Sequence, residues 1–258
     1  LARMRLSRRP WRRALFLPLA LVERLTLPRY PHIFAVNRQE KRSLEALSLQ
    51  AAVSFSPVSI DFELFSPGDK QASRARLGLD QKAQIALFVG RLAPEKGISY
   101  LLEAAADLTV RFPQFELYLV GSGALEQALR QEVQALGIQE QVHFVGYIDR
   151  LSLPDWYRAA DVACLPSLFE GFPLSAAEAM ACGTPIVASR AGGTEDVVRE
   201  FGRGLLPPAR ASQACSKALT DILSKSTTLT PDIDRARSVL DWTTKLECSF
   251  ELFRKENR

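Results

Sequence analysis

The alternation of short apolar runs with longer amphipathic stretches is the feature that most constrains the fold. It begins at Ile85 and continues to Leu206. The apolar runs, each typical of a strand, lie at 85–89, 115–120, 142–145, 162–165, 185–188 and 204–206. The stretches between them, each typical of a helix, lie at 98–111, 125–136, 153–160, 174–182 and 194–200. Short strands separated by such helices predict repeated βαβ units, and therefore an α/β fold with a doubly wound, Rossmann-like parallel sheet.

The residues outside this pattern divide the chain into further predicted regions. A strand at 32–36 and a helix at 38–47 predict the tail of an N-terminal domain whose main body is absent. Pro57, Pro67 and Gly68 predict a connecting segment after it. Because the chain begins with leucine, we expect a fragment of a longer protein. The predicted regions are a domain remnant at 1–56, a linker at 57–75, a sheet domain at 76–230 and C-terminal helices at 231–258.

Basic residues are concentrated at the start of the chain. Residues 1–45 contain eleven Lys and Arg against three Asp and Glu, a net charge of +8, which leaves 22 basic and 26 acidic residues in the remainder. A basic leader on a mildly acidic body predicts contact with an anionic membrane surface and disfavours nucleic-acid binding. The apolar run at 14–22 is too short to span a bilayer, which needs roughly 20 residues. It fits an interfacial helix or, equally well, a solvated surface helix, and either would start at Arg8, Arg9, Arg12 and Arg13.

Cysteines and histidines are too few and too scattered for a disulfide framework or a zinc site. The four cysteines form no CxxC pair, and the chain has two histidines. We therefore expect a reducing, cytoplasmic location, at the inner face of the membrane if the leader binds lipid. Asp232 and Asp234 form an Asp-x-Asp pattern, but their place at the start of a helix favours capping over metal binding. Glu126 replaces the third glycine of a dinucleotide fingerprint, which disfavours NAD.

Two glutamates are the most informative residues of the chain. Glu170 follows the strand at 162–165, and Glu178 lies on the next predicted helix. Helical spacing places Glu178 on the same face as Ala177 and Ala181, and a carboxylate in such a small, apolar stripe needs hydrogen-bond partners. The two hydroxyls of a ribose would satisfy it, and so would a nearby arginine or a backbone loop. Glu170 by itself could equally be a plain surface residue.

Two cations follow the first strand of the sheet. Arg91 and Lys96 lie in the turn after the strand at 85–89, and so at the same carboxyl edge of the sheet as Glu170. Open α/β sheets bind their ligands at this edge. Two cations there could neutralise a diphosphate and stabilise the charge that grows on it when a sugar leaves. Alternatively, both are solvated, with Lys96 paired to a neighbouring glutamate, Glu95 or Glu103.

Together these segments resemble a known family. The sequence at 89–97 is VGRLAPEKG, that at 160–189 is ADVACLPSLFEGFPLSAAEAMACGTPIVAS, and that at 191–198 is AGGTEDVV. In this order they resemble the strand–loop motif and the Glu-x7-Glu signature of family 4 retaining glycosyltransferases with the GT-B fold. The resemblance covers residues 30–256, and by it the chain would be the C-terminal, donor-binding half of that fold, ending in helices that cross back to the N-terminal domain.

The resemblance implies a metal-independent reaction with a nucleotide-diphosphate sugar as the donor. Arg91 and Lys96 would bind the diphosphate, and Glu170 would hold the transferred sugar. A donor phosphate oxygen would take the proton of the acceptor, which attacks from the face that the nucleotide leaves. The further residues that would contact the donor are Val145, Tyr147, Gly171, Phe172, Pro173, Leu174 and Glu178. One departure from the family pattern is Pro173, which stands in place of a glycine and removes one backbone donor.

The sequence therefore predicts a glycosyltransferase that acts on a glycan or lipid-linked acceptor in envelope polysaccharide or lipopolysaccharide synthesis. The alternative is a donor-binding module without activity of its own, either a truncated product or half of a split enzyme that needs an N-terminal-domain partner chain. A third hypothesis is a GT-B sugar-nucleotide epimerase. The two glutamates together with Arg91 and Lys96 disfavour it.

Overall fold

The computed structural model describes residues 22, 25–47, 51–202, 204–227 and 229–241. The chain divides into two compact units, Leu1–Ser56 and Pro57–Arg258. The origin of the first unit as the remnant of an acceptor domain stays a prediction. The predicted interfacial or surface helix, with its arginines at 8–13 and its apolar run at 14–21, lies outside the described residues, and so does the end of the C-terminal helices at 242–258. Within the described residues, no helix has the length and apolar character needed to cross a membrane.

The first unit contains a small parallel sheet. Strand β1 (His32–Ala35) pairs with β2 (Ala52–Phe55), and helix α1 (Arg38–Glu45) connects them. The helix begins where predicted because the Asn37 side chain accepts a 2.7 Å hydrogen bond from the Glu40 backbone N–H. Strand β2 is not among the predicted strands, because Ser54 interrupts it and only Val53 and Phe55 are large apolar residues, too few for a clear apolar run.

The second unit is built on a five-stranded parallel sheet in the order β5-β4-β3-β6-β7. This order confirms the predicted doubly wound α/β fold. Its strands are β3 (Gln84–Val89), β4 (Phe115–Val120), β5 (Val142–Gly146), β6 (Val162–Leu165) and β7 (Ile186–Ala188). Its helices are α2 (Lys70–Leu77), α3 (Ile98–Arg111), α4 (Glu126–Leu136), α5 (Leu153–Ala159), α6 (Leu174–Ala181), α7 (Thr194–Phe201), α8 (Ser212–Leu223) and α9 (Ile233–Leu240).

The predicted strand at 204–206 is wrong. Only Leu205 joins the sheet, by a single parallel bridge to Val187. The run ends at Pro207 and Pro208, which have no N–H group to continue a ladder. The sheet therefore ends at β7.

Part of the predicted linker at 57–75 is helix α2, which packs within the second unit. The Asp69 side chain accepts from the Ala72 N–H at 2.8 Å, and Gly78 ends the helix with a φ of 68°. The N-cap aspartate and the C-terminal glycine, nine positions apart, could thus have indicated this helix from the sequence. The apolar pattern missed the helix because most of its residues are polar.

Hydrophobic side chains cover both faces of the sheet. Successive residues of β3 point alternately to the two faces, so Ile85 and Leu87 join one cluster while Ala86 and Phe88 join the other. Burial on both faces explains why the strands read as continuous apolar runs.

An ion pair ties α2 to the amino end of the sheet. Arg74 is 4% exposed, and its Nη2 lies 2.8 Å from Asp161 Oδ2. The same carboxylate oxygen accepts from the Ile85 N–H at 2.8 Å, at the start of β3. Arg74 also donates to the Ala159 carbonyl at 2.9 Å. Because the Arg74 guanidinium is buried, its positive charge depends on the Asp161 carboxylate for compensation.

We expect Asp161→Ala to lower the free energy of unfolding by about 3 kcal/mol, because it leaves the Arg74 charge buried without a counterion. Urea denaturation of the chain measures this loss. Lys70→Ala is the matched control, since Lys70 binds the other oxygen of Asp161 from a half-exposed position and should cost under about 1 kcal/mol. Equal losses in the two variants would contradict a special role for the buried pair.

Candidate functional site

Two loops meet at the carboxyl edge of the sheet, one after β3 and one after β6. The Leu168 N–H donates to the Glu95 carbonyl at 2.8 Å. At Gly97, whose φ is 62°, an added Cβ would lie only 2.3 Å from the Pro166 carbonyl oxygen. Direct backbone contact therefore fixes the two loops to each other, and a larger residue at Gly97 would push them apart.

Lys96 and Glu170 form an ion pair across this junction. Lys96 Nζ lies 2.7 Å from Glu170 Oε1, and both side chains are largely shielded from solvent. Ser167 Oγ lies 2.6 Å from the same oxygen. The pairing of Lys96 with Glu95 or Glu103, considered from the sequence, is therefore wrong, because the parallel strands bring a more distant carboxylate closer.

Arg91 is not drawn into this cluster. Its side chain is 76% exposed and pairs with Glu95 at 2.8 Å, four positions further along the chain. Such exposed pairs contribute little free energy, so the guanidinium can leave Glu95 at small cost. Arg91 thus stands at the rim of the edge where Lys96 and Glu170 are fixed.

Helix α6 begins at this junction and ends one residue before its predicted end. Pro173 is its N-cap residue, and no side chain caps the first turn. Phe172 packs against the hydrophobic core, whereas Leu174 is exposed. The first-turn N–H groups of a helix carry a partial positive charge, so this end favours an anion.

Two glycines hold the Glu170 loop from its other side. The Gly193 N–H donates to the Glu170 carbonyl at 3.1 Å. An added Cβ at Gly192, whose φ is 56°, would lie 2.0 Å from that carbonyl oxygen, and one at Gly193 would lie 2.1 Å from the Gly171 carbonyl oxygen. Only glycine permits this approach, which explains the Gly-Gly pair before α7.

Glu178 is buried on α6 and accepts a hydrogen bond from a buried tyrosine. The Tyr157 hydroxyl lies 3.0 Å from Glu178 Oε2. Burial raises the pKa of the Glu178 carboxyl, and the hydrogen bond from Tyr157 opposes that rise. Burial also raises the pKa of Tyr157, so the hydroxyl stays protonated as a donor. The sequence analysis did not identify Tyr157 as the partner of Glu178, because an aromatic residue on an amphipathic helix is typical of simple core packing.

Val145 and Tyr147 lie at the end of β5, the outer strand two positions from β3. Val145 packs against the core, and the Tyr147 ring is 79% exposed. Gly146 between them has a φ of 83° and accepts from the Gly121 N–H at 2.7 Å. The tyrosine therefore projects from the same sheet edge as the ion pair, where an aromatic face is open for stacking.

Comparison with known proteins identifies the family. A family model described as glycosyl transferases group 1 matches residues 69–238. The chain belongs to this family. Over 156 residues the chain is 45% identical to D-inositol 3-phosphate glycosyltransferase 2 of Catenulispora acidiphila. The matched segment covers 57% of this chain and 36% of that protein. A second relative, from Geodermatophilus obscurus, is matched over 43% of its length, so the chain spans about two fifths of such relatives.

Solved structures of glycosyltransferases share the fold. Sucrose-phosphate synthase from Thermosynechococcus elongatus matches with a TM-score of 0.80 and 32% identity over 91% of this chain and 60% of that one. The C-terminal domain of a group 1 glycosyl transferase from Francisella tularensis matches with a TM-score of 0.59 and 25% identity, over 74% of this chain and 97% of that domain. The predicted fold, the C-terminal half of a GT-B fold, is thereby confirmed.

The site of this group 1 domain combines two kinds of binding group. Lys96 and the uncapped start of α6 favour negative charge, whereas Glu170 and Glu178 accept hydrogen bonds from hydroxyls. Lys96, Glu170 and the start of α6 lie at the carboxyl ends of parallel strands, with Glu178 in the second turn of α6, and this arrangement suits a ligand that carries both phosphate and sugar. No group of three or more His, Cys, Asp or Glu side chains in the described part of the chain is placed to hold a metal ion.

We expect Glu178→Gln to raise the free energy of unfolding at pH 7. Because the folded-state pKa of Glu178 lies above its unfolded value, the buried carboxylate costs stability as pH rises from the unfolded pKa, about 4.3, through the folded one. Glutamine removes the charge and still accepts from Tyr157. The gain should shrink as pH falls towards 4, where the glutamate is protonated.

Urea denaturation at several pH values tests this expectation. Glu103→Gln, on the exposed surface of α3, is the control and should leave stability nearly unchanged across the range. A loss of stability in Glu178→Gln at pH 7 would show that the native carboxylate is fully compensated by its surroundings.

Proposed function

We propose that this chain is the donor-binding half of a retaining, family 4 glycosyltransferase that takes its sugar from a nucleotide diphosphate. The observation that carries the proposal is the Lys96–Glu170 pair at the uncapped start of α6, with Glu178 buried on the same helix. A cation, a helix N-terminus and two carboxylates at one sheet edge match the phosphates and hydroxyls of such a donor.

In the proposed reaction, the bond between the anomeric carbon and the diphosphate oxygen breaks, and the diphosphate keeps the electron pair. Lys96, Arg91 and the start of α6 stabilise the charge that grows there. Glu170 and the backbone of 171–174 hold the sugar, Glu178 binds the ribose, and Val145 and Tyr147 lie beside the base. The acceptor oxygen bonds to the anomeric carbon on the same face and gives its proton to a phosphate oxygen. No metal takes part in this scheme.

For the acceptor, we propose a glycan or a lipid-linked glycan in envelope polysaccharide or lipopolysaccharide synthesis, on the cytoplasmic side of the membrane. The names of two similar proteins support a second candidate, a small phosphorylated acceptor. One is named for inositol 3-phosphate and the other for sucrose phosphate. A donor-binding module that works with a separate N-terminal-domain chain is the alternative to a single-chain enzyme. A coding region that continues upstream into such a domain would favour the single-chain enzyme.

Calorimetric titration of the chain with UDP and with GDP tests donor binding. We expect one of them to bind, and Glu178→Ala to weaken that binding about tenfold or more, because a charged acceptor of the ribose hydroxyls is lost. Glu200→Ala is the control, since Glu200 is equally buried but lies at the far end of α7. Failure of both nucleotides to bind, or unchanged binding in Glu178→Ala, would overturn the donor-site assignment.

Lys96→Ala should reduce kcat about 10²–10³-fold in the longest reading frame that contains this chain, while KM changes much less. The charge on the diphosphate grows only as the sugar leaves, so Lys96 contributes most in the transition state. Lys82→Ala, an exposed lysine at the amino end of β3, is the control. Equal effects of Lys96→Ala on kcat and on 1/KM would argue against this role.

A further inference from the structure

The two donors that contact Glu170 both approach the same carboxylate oxygen. Lys96 Nζ and Ser167 Oγ lie 2.7 Å and 2.6 Å from Oε1. Within the described residues, no hydrogen bond reaches Oε2. Although Glu170 as a whole is only 8% exposed, Oε2 is not among the buried polar atoms that lack a partner, so this oxygen is open to the solvent side of the site. The described part of the protein thus donates hydrogen bonds to Oε1 only, and Oε2 is left free to accept one from a ligand.

Ser167 occupies a fixed and enclosed position. Its side chain is 1% exposed, so water cannot readily replace its hydroxyl. The residues on either side are fixed by contacts with the loop after β3, since the carbonyl of Pro166 abuts Gly97 and the N–H of Leu168 bonds to Glu95. The hydroxyl therefore meets Glu170 from a rigid backbone.

Lys96 alone cannot hold Glu170 in one orientation. An ammonium group is a point charge on a flexible stem, and a diphosphate would compete with the carboxylate for it. The serine hydroxyl is uncharged, and a phosphate draws it away far less. Ser167 is thus the contact that keeps Oε1 in place when Lys96 turns towards an anion.

We propose that Ser167 is a positioning residue, which holds Glu170 so that Oε2 faces the sugar of the donor. This inference rests on the proposed function of the site. Ser167 would then help the site to discriminate between a nucleotide sugar and the bare nucleoside diphosphate. Only the nucleotide sugar carries the transferred sugar, whose hydroxyls can bind to Oε2. A hydroxyl that merely stabilised the loop would affect both ligands alike, since the loop also forms the start of α6.

The test compares Ser167→Ala with the unaltered chain by calorimetry, using UDP and UDP-glucose, or GDP and GDP-mannose if GDP is the nucleotide that binds. We expect the Kd of the nucleoside diphosphate to stay within about twofold. The Kd of the nucleotide sugar should rise about tenfold, the loss typical of one charge-assisted hydrogen bond. The ratio of the two constants is the readout.

Ser216→Ala is the matched control. Ser216 is equally buried, and its hydroxyl lies 2.6 Å from Asp107 Oδ2, between α8 and α3 and away from the sheet edge. It should destabilise the fold but leave the ratio unchanged. A ratio unchanged in Ser167→Ala, or equal weakening of both ligands, would overturn the proposal while leaving the donor site in place. If the unaltered chain binds neither nucleotide, the proposed function itself has failed.

A second measurement needs no ligand. Ser167→Ala and Glu170→Ala should shift the urea midpoint non-additively, because each removes the hydrogen bond from the Ser167 hydroxyl to the Glu170 carboxylate. Ser216→Ala combined with Glu170→Ala should be additive. Additive shifts for the Ser167 pair would show that the hydroxyl does not hold the carboxylate, and would overturn the proposal.

Discussion

The ion pair between Lys96 and Glu170 is the contact on which the site depends. It joins residues 74 positions apart and is accompanied by a backbone hydrogen bond between the same two loops. A largely buried pair is not a strong source of stability in itself, but removing one partner leaves the other charge uncompensated. The pair therefore fixes the loop geometry. The two charges also neutralise each other, so in the proposed function a diphosphate would share Lys96 with Glu170 instead of meeting an isolated cation.

Burial of the Glu178 carboxylate lowers the stability of the fold. Most of its neighbours on the helix are buried alanines, whose side chains offer the carboxylate no hydrogen-bond donors. Its partner in the described structure is the Tyr157 hydroxyl, and burial still raises the pKa of Glu178. A local rule, that charges stay out of small apolar surfaces, is thus broken at the position where a binding role was inferred. Such conflicts between stability and local pattern are typical of functional sites.

The sequence predicted those helices and strands whose apolar residues recur at regular intervals. Helix α3 and strand β4 lie where the apolar pattern placed them, because tertiary burial there follows the local sequence. The parallel-sheet rule also brought Lys96 and Glu170 to one edge, but it could not pair them, since Glu95 is nearer in sequence. Ser167 and Tyr157 were missed as partners because one hydroxyl has no periodic signature. Helix α2 was missed for a related reason: most of its residues are polar, so it has no apolar period, and only its two capping residues indicate a helix.

The glycines at 97, 192 and 193 determine how this site can change. They hold the Glu170 loop between two backbones, so the loop is already ordered before any ligand arrives. A binding surface in this state loses little conformational entropy on association, and affinity then depends on the fit of fixed groups. If the site binds a donor sugar as proposed, adaptation to a different sugar would proceed by exchange of side chains on an unchanged loop, at positions such as Phe172 and Leu174. Lengthening or loosening the loop would forfeit the preorganisation that the glycines provide.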